Sequence, residues 1–143
     1  GRGVHWPGDY HGLRIGNNHG YLSPGPAFFE AVKRRQLTLT EVKDANAALR
    51  LVILGRLDCY VNSRLTILWE LKKLADSGIY NPVDQEISRG TFISSNWGYL
   101  GFTNAKLERY PFKQDFIERV NDALDELKQS GEVDLIIDHF LTR

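Results

Sequence analysis

Two polar side chains, Asn62 and Ser63, directly follow a short apolar stretch, Leu57–Val61. A helix that ends at Gly55 precedes this stretch, whose length and composition predict a buried strand. Ligands of open α/β sheets bind outside the carboxyl ends of the strands, because loops and helix N-termini converge there. Asn62 is therefore a candidate ligand-binding residue. Asparagine is also a favoured N-cap, so Asn62 could equally cap the helix that begins near Arg64, and the two roles are compatible.

The other reactive side chains form no recognisable catalytic or metal-binding pattern. His5, His11 and His19 are the only group that suggests a metal, and their spacing matches no compact zinc site. Cys59 lies in the middle of the predicted strand without a neighbouring histidine, so we expect a small buried hydrophobe there. Neither a nucleophile elbow nor a zinc-protease helix nor a phosphate-binding glycine loop is present in the sequence. We therefore predict no enzymatic activity, no metal and no cofactor.

The charge composition of the chain argues against some classes of binding partner. The chain has 143 residues, of which 18 are basic and 18 acidic, so its formal charge is zero. Nucleic acids and anionic membrane surfaces both require a basic face, so this balance argues against either as the main partner. The longest apolar run, Leu51–Leu54, is far shorter than the ~20 residues of a membrane span. We expect one globular domain, or one domain and part of another, without membrane insertion.

Strand-like and helix-like patterns alternate along the chain, which predicts an α/β fold. Thr38 and Glu41 have the spacing of a capping box, which would start the second helix, although Thr40 competes with Thr38 as the cap. The predicted strands are Leu13–Asn18, Leu37–Leu39 and Leu57–Val61, with two less regular candidates at Gln85–Ile87 and Gly98–Thr103. The predicted helices are Ala27–Arg35, a second one with Val42, Ala45, Leu49, Val52 and Ile53 on one face, Leu65–Ala75, a long one from Pro111 to Gln129, and a last one from Val133 to Leu141.

The order of these elements and two short motifs resemble the extracellular solute-binding proteins of family 3. The first motif is Gly-Arg-Leu-Asp at 55–58, within the longer stretch Leu-Gly-Arg-Leu-Asp-Cys-Tyr-Val-Asn-Ser. The second, more distinctive motif is Phe-x3-Val-Asn-x-Ala-Leu-x3-Lys-x2-Gly, from Phe116 to Gly131. Proteins of this family serve ABC importers of amino acids and related small solutes. The resemblance covers nearly the whole chain.

This resemblance implies a periplasmic-binding-protein-like lobe with a central, mostly parallel sheet flanked by helices, plus two C-terminal helices. Family members clamp the ligand between two such lobes joined by hinges. Residues 1–11 would be a lead-in loop or hinge, residues 12–95 the second lobe, and residues 96–143 the return segment and the C-terminal helices. The family's carboxylate-gripping arginine lies in the first lobe, most of which this chain would lack. The resemblance also implies a periplasmic location.

The resemblance further implies a binding site. In the family, the loop after the first strand offers backbone N–H groups to the ligand. The matching positions here are His19, Gly20, Tyr21, Leu22 and Ser23. Tyr21 is a candidate for stacking on the ligand, or for folding back onto the core. Asn62 stands where amino-acid binders usually place an aspartate for the ligand's ammonium, and asparagine supplies no negative charge, so we expect a less cationic solute or no solute at all.

The leading hypothesis is a non-enzymatic receptor for a small polar solute, such as an amino acid or a related compound, with an ABC-transporter permease as a possible partner. In the family the C-terminal helices pack largely on the first lobe. Without that lobe their apolar stripes would be exposed, so we predict a homo-oligomer formed through these helices. The alternative is a truncated or orphan dimerising or sensor module on the same fold. A third hypothesis, less favoured than these two, is an enzyme derived from the same fold.

Overall fold

A computed structural model describes residues 4–96 and 98–142 of the chain. Residues 1–3 of the predicted lead-in loop, and residues 97 and 143 of the predicted C-terminal segment, lie outside this description. The chain forms two compact units, Gly1–Asn96 and Trp97–Arg143.

The first unit contains three strands and three α-helices in strict alternation. They are β1 (Arg14–Asn18), α1 (Pro26–Lys33), β2 (Thr38–Val42), α2 (Ala45–Ile53), β3 (Cys59–Val61) and α3 (Arg64–Asp76), preceded by a 3-10 turn at Gly8–Tyr10. The second unit contains a 3-10 turn at Leu107–Arg109 and two helices, α4 (Lys113–Gln129) and α5 (Glu132–Thr142), which pack against each other.

The three strands form one parallel sheet in the order β2-β1-β3. β1 is central: Ile15 is paired with Leu39 of β2 on one side and with Cys59 of β3 on the other. The predicted α/β class with a parallel sheet flanked by helices is therefore confirmed. The finer prediction, a lobe of the periplasmic-binding-protein type, stays a prediction.

Helices cover both faces of the sheet, as expected for parallel strands. On one face Phe28 and Ala31 of α1 pack with Ile15, against the partly buried Cys59 and Val61. On the other face Ala48 of α2 packs with Val42, Leu57 and the partly buried Tyr60. Leu49 of α2 and Leu74 of α3 form a further cluster with Tyr80. Successive residues of β3 thus serve opposite faces, because side chains alternate along a strand.

The second predicted helix starts later than the capping-box pattern indicated, so that prediction is wrong. Thr38 and Glu41 lie in β2, which pairs along its whole length with β1. Asp44 caps α2 instead, since its carboxylate accepts a hydrogen bond from the N–H of Ala47 at 2.8 Å. Val42 belongs to the strand and not to the helix face. Pairing with a neighbouring strand has outweighed the local capping signal.

The predicted strands at Gln85–Ile87 and Gly98–Thr103 are also wrong, because both stretches are irregular. A strand needs a paired neighbour, and the N–H of Ile87 instead donates to the Tyr80 hydroxyl at 3.2 Å. In the second stretch Tyr99 is 86% exposed, so its β-forming aromatic side chain has found no face of a sheet to cover.

An ion pair joins β1 to the segment before β3 at the amino end of the sheet. The Arg14 guanidinium donates from Nε to Asp58 Oδ2 at 3.0 Å and from Nη2 to Oδ1 at 2.8 Å, and Nη2 also reaches the Gly55 carbonyl at 2.9 Å. The N–H of Arg14 donates to the same carboxylate, and the N–H of Asp58 donates back to the Arg14 carbonyl. These hydrogen bonds lower the pKa of Asp58 to about 2.

Replacing Asp58 by asparagine should remove an acid-sensitive part of the stability. A carboxylate whose pKa is depressed on folding stabilises the native state above its ordinary pKa near 3.8, and this contribution is lost as the pH falls through about 2. Because the pair is partly exposed, we expect a loss of only about 1 kcal/mol at neutral pH. Urea unfolding between pH 2 and 7 measures it, with Asp76→Asn, which breaks a simple surface pair with Lys72, as the control. Parallel pH profiles for the wild type and Asp58→Asn would contradict this assignment.

Gly16, in the middle of β1, lets the buried side chain of Leu57 approach the strand closely. A Cβ at this position would lie 2.7 Å from Cδ1 of Leu57 and 3.4 Å from Cδ2 of Tyr60. Gly16→Ala should destabilise the fold by about 1–3 kcal/mol, because Leu57 is buried and has little room to move. Leu57→Val removes the clashing atom, so in chemical unfolding the double variant should be more stable than additive effects allow. Gly8→Ala, where a Cβ meets open space, is the control; additivity of the two substitutions would disprove the steric account.

Candidate functional site

The candidate site lies at the carboxyl end of the sheet, between β1 and β3. The chain leaves β1 through α1 toward β2 on one side, and it leaves β3, on the other side of β1, into α3. The loops that follow β1 and β3 therefore leave the sheet toward opposite faces. In open parallel sheets this reversal of strand order is the position where ligands bind.

Three side chains form a hydrogen-bonded relay across this position, which we call the edge relay: Asn62, Tyr60 and Asn18. Asn62 Nδ2 donates to the Tyr60 hydroxyl at 2.5 Å, and the hydroxyl donates to Asn18 Oδ1 at 2.7 Å. The N–H of Ser63 donates to Asn62 Oδ1 at 2.7 Å. All three side chains are partly buried. The edge relay therefore joins the ends of β3 and β1 through side chains that are 42 residues apart in sequence.

Tyr60 is the central member of the edge relay and remains a neutral phenol. Burial raises its pKa above the ordinary value of 10, and the hydrogen bond from Asn62 opposes this shift only in part. The hydroxyl thus keeps the proton that it donates to Asn18 at any physiological pH.

Asn17 holds the loop that follows β1. It is 2% exposed, and its Nδ2 donates to the Tyr21 carbonyl at 2.7 Å, while the N–H of Tyr21 closes a turn onto the Asn18 carbonyl at 3.0 Å. Its Oδ1 is buried and has no hydrogen-bond partner in the part of the chain that the structure describes. An unpaired buried acceptor costs about 1–3 kcal/mol, so this position carries a penalty that an apolar residue would avoid.

The predicted loop residues are only partly brought together. Tyr21, Leu22 and Ser23 line an open groove of about 550 Å³, together with Gly25, Ser94 and Asn96. Tyr21 is 51% exposed, so it does not fold back onto the core. The stacking role of Tyr21 stays a prediction.

His19 and Gly20 do not line this groove. His19 is exposed and pairs with Glu41 of β2, with 3.2 Å between Nδ1 and Oε2. Gly20 has a φ of 76°, a left-handed conformation that glycine adopts without strain, so its presence is explained by the turn.

The N-termini of the helices at this end differ in their capping. Ser63, not Asn62, caps α3, because its hydroxyl accepts from the N–H of Thr66 at 3.3 Å. The capping alternative for Asn62 is therefore wrong, and both its polar atoms lie in the edge relay. α1 begins after Gly25 with no side-chain cap, so its first-turn N–H groups have no side-chain acceptor, and Pro26 occupies its first turn as predicted.

Sequence reasoning missed Asn17, Asn18 and Tyr60. Asn17 and Asn18 could have been found from the sequence, because two consecutive asparagines end a predicted strand and ligands of parallel sheets bind at the carboxyl ends of the strands. Tyr60 carried no such signal, since an aromatic residue within a strand is ordinarily part of the core.

The described residues contain no group of three or more His, Cys, Asp or Glu side chains that could hold a metal ion. Burial, with a smaller contribution from Asp58, raises the pKa of the Cys59 thiol, so this partly buried side chain is not an activated nucleophile. None of the helices in the described ranges is both long enough and apolar enough to cross a membrane. The arrangement offers oriented hydrogen bonds from the edge relay.

The chain was compared with models of protein families, with curated proteins and with solved structures, and none of these matches it.

Proposed function

We propose that this chain is a non-enzymatic binding module that recognises a small polar solute at the carboxyl ends of β1 and β3. The observation that carries the proposal is the edge relay, a set of oriented amides and one hydroxyl at the reversal of strand order. Side chains that serve only packing do not require a polar relay at this position.

Preorganisation supports binding over a purely structural role. Each member of the edge relay is held by the next, and the relay is anchored on a backbone N–H, so its amides lose little conformational entropy when a solute arrives. The groove beside it offers the Tyr21 ring and the Ser23 hydroxyl as further contacts. A single such surface encloses a ligand on one side only, so we expect weak affinity.

The physiological role that we propose is that of a transport receptor for an amino acid or a related compound. This part of the proposal rests on the resemblance of the motifs at 55–58 and 116–131 to solute-binding proteins of ABC importers. A receptor of this kind would act in the periplasm, with a transporter permease as its partner.

A screen of amino acids and related polar solutes by thermal unfolding tests the proposal. A solute that binds only the native state stabilises it, by about 2.7 kcal/mol at a hundredfold excess over Kd. Asn18→Ala removes the outward amide of the edge relay and should weaken binding about tenfold, a change of about 1.4 kcal/mol. Asn81→Ala, in the loop after α3, is the matched control and should bind like the wild type. A hit that stabilises Asn18→Ala and the wild type equally would place binding elsewhere.

A second candidate function, self-association, is favoured by the second unit. No residue of α4 or α5 is buried, and apolar side chains on both helices are exposed, among them Phe116 at 50%, Leu135 at 67%, Ile136 at 60% and Phe140 at 57%. A two-helix hairpin of this length is marginal without a surface to cover it. Lys113–Thr142 also contains eight acidic and three basic residues, whereas residues 1–96 contain nine acidic and twelve basic ones. A second copy of the chain therefore offers a surface of complementary charge.

Sedimentation at micromolar concentrations tests this second candidate. We expect a dimer that weakens at high salt, since complementary charges are screened. Ile136→Glu, on the exposed apolar side of α5, should shift the protein toward the monomer, because it places a charge in the contact. Gln129→Ala, at an exposed and uncharged position of α4, is the control and should leave the dimer intact. A wild-type protein that sediments as a monomer throughout would rule out self-association.

A further inference from the structure

The hydrogen-bond direction of the edge relay is set by a single backbone group, the N–H of Ser63. A backbone N–H can only donate, so the Asn62 atom that faces it at 2.7 Å must be the acceptor Oδ1. The other end of the Asn62 amide is therefore Nδ2, which can only donate. It points to the Tyr60 oxygen at 2.5 Å, so this oxygen accepts.

The same direction continues from Tyr60 to Asn18. The Tyr60 hydroxyl has one proton, and because its oxygen accepts from Asn62, the proton is available to the next neighbour. That neighbour, at 2.7 Å, is Asn18, whose Oδ1 faces the hydroxyl and accepts this proton. Asn18 Nδ2 is the atom that remains. It makes no hydrogen bond to any residue within the described ranges, and it is not among the fully buried atoms without a partner there, so it is at least partly accessible to solvent.

We propose that the solute bound at this edge presents a hydrogen-bond acceptor oxygen, of a carboxylate or a carbonyl group, to Asn18 Nδ2, and that an ammonium group is rejected there. The inference rests on the proposed binding function and adds the chemical class of the recognised group. An amide N–H pays a desolvation penalty when it faces another donor, and this penalty discriminates more strongly than a missing attraction.

The charged side chains that end β2 and follow it add no cationic partner for the acceptor oxygen. Lys43 is paired with Asp44 at 3.9 Å, and the Glu41 carboxylate lies 3.2 Å from Nδ1 of His19. The direction of the hydrogen bonds is therefore the property that selects the solute, and Asn62 acts as a positioning residue that sets this direction without being the group that we expect to contact the acceptor oxygen.

Three probes of equal chain length separate the possibilities on the full-length protein: succinate, its uncharged dimethyl ester and 1,4-diaminobutane. Chemical-shift changes of the Asn18 side-chain amide report binding at the site, and those of Asn81 serve as the internal reference. We expect saturable shifts with succinate and dimethyl succinate, and at least tenfold weaker binding of the diamine. Binding of succinate but not of its ester would restrict the class to carboxylates, and binding of both would extend it to carbonyl groups.

Two isosteric variants should invert the preference. Asn18→Asp keeps the oxygen that accepts from Tyr60 and turns the outward donor into an acceptor. Asn62→Asp keeps the oxygen that Ser63 requires but can no longer donate to Tyr60. The Tyr60 hydroxyl then donates to the new carboxylate, and Asn18 must turn its amide to donate from Nδ2 to Tyr60, which exposes Oδ1. Both variants should bind 1,4-diaminobutane at least tenfold better than the wild type does.

The uncharged ester separates this reversal from the added negative charge, because charge alone does not repel it. Dimethyl succinate should lose at least tenfold in affinity for Asn62→Asp. Tyr60→Phe interrupts the edge relay without a change of charge and should reduce the preference for the ester over the diamine. This variant also provides the test if the aspartate variants fail to fold.

The outcomes distinguish this inference from the proposed function. A preference of the wild-type site for the diamine, or unchanged ester binding by a folded Asn62→Asp, would overturn the acceptor preference and leave solute binding intact. If none of the three probes and no solute of the wider screen shifts the Asn18 amide, the binding function and the acceptor preference are both overturned.

Discussion

The parallel pairing of β1 with strands on both of its sides is the constraint on which the rest of the first unit depends. Each of its five residues meets a different requirement. Arg14 joins the amino end of the sheet to Asp58, Ile15 enters the core below α1, and Gly16 lets the buried Leu57 approach the strand. Asn17 holds the following loop and Asn18 receives the edge relay. A shift of register by one residue would turn all these side chains to the wrong face.

The two ends of the sheet use polar groups differently. At the amino end, the Arg14–Asp58 pair engages Nε and Nη2 of the guanidinium and both carboxylate oxygens within the protein, and the carboxylate also accepts from a backbone N–H. At the carboxyl end, the edge relay leaves one amide nitrogen facing outward. A polar group that is satisfied within the protein holds the fold together, whereas one that is oriented but free can bind a solute. This contrast is the physical basis for placing recognition at the carboxyl end.

The second unit follows a different principle. α4 and α5 have amphipathic sequences, and yet several apolar side chains of each helix are exposed, among them Phe116, Ile136 and Phe140. Isolated helices gain most of their stability from packing an apolar face, so these helices need a further surface. Their acidic excess favours a basic surface in the self-association that we propose.

The sequence by itself determined those elements whose signals are local. Pro26 at a first helical turn, the apolar stripe from Phe116 to Leu127 and the glycine at the end of α4 each depend on near neighbours in the chain, and the corresponding helices are present. The start of the helix near Arg64 was likewise predicted, because a favoured capping residue precedes it.

Only the tertiary structure decided the features that join distant residues. The capping-box pattern at Thr38 gave way to five residues of pairing with β1, since strand pairing cannot be inferred from one segment alone. Asn62 was a candidate from its place in the sequence, but its partners Tyr60 and Asn18 became partners only when β3 was laid beside β1. The hydrogen bonds that run from Ser63 through Asn62 and Tyr60 to Asn18 can form only when these residues lie side by side. The tertiary structure therefore sets their direction, which in our proposal determines the kind of group that the site accepts.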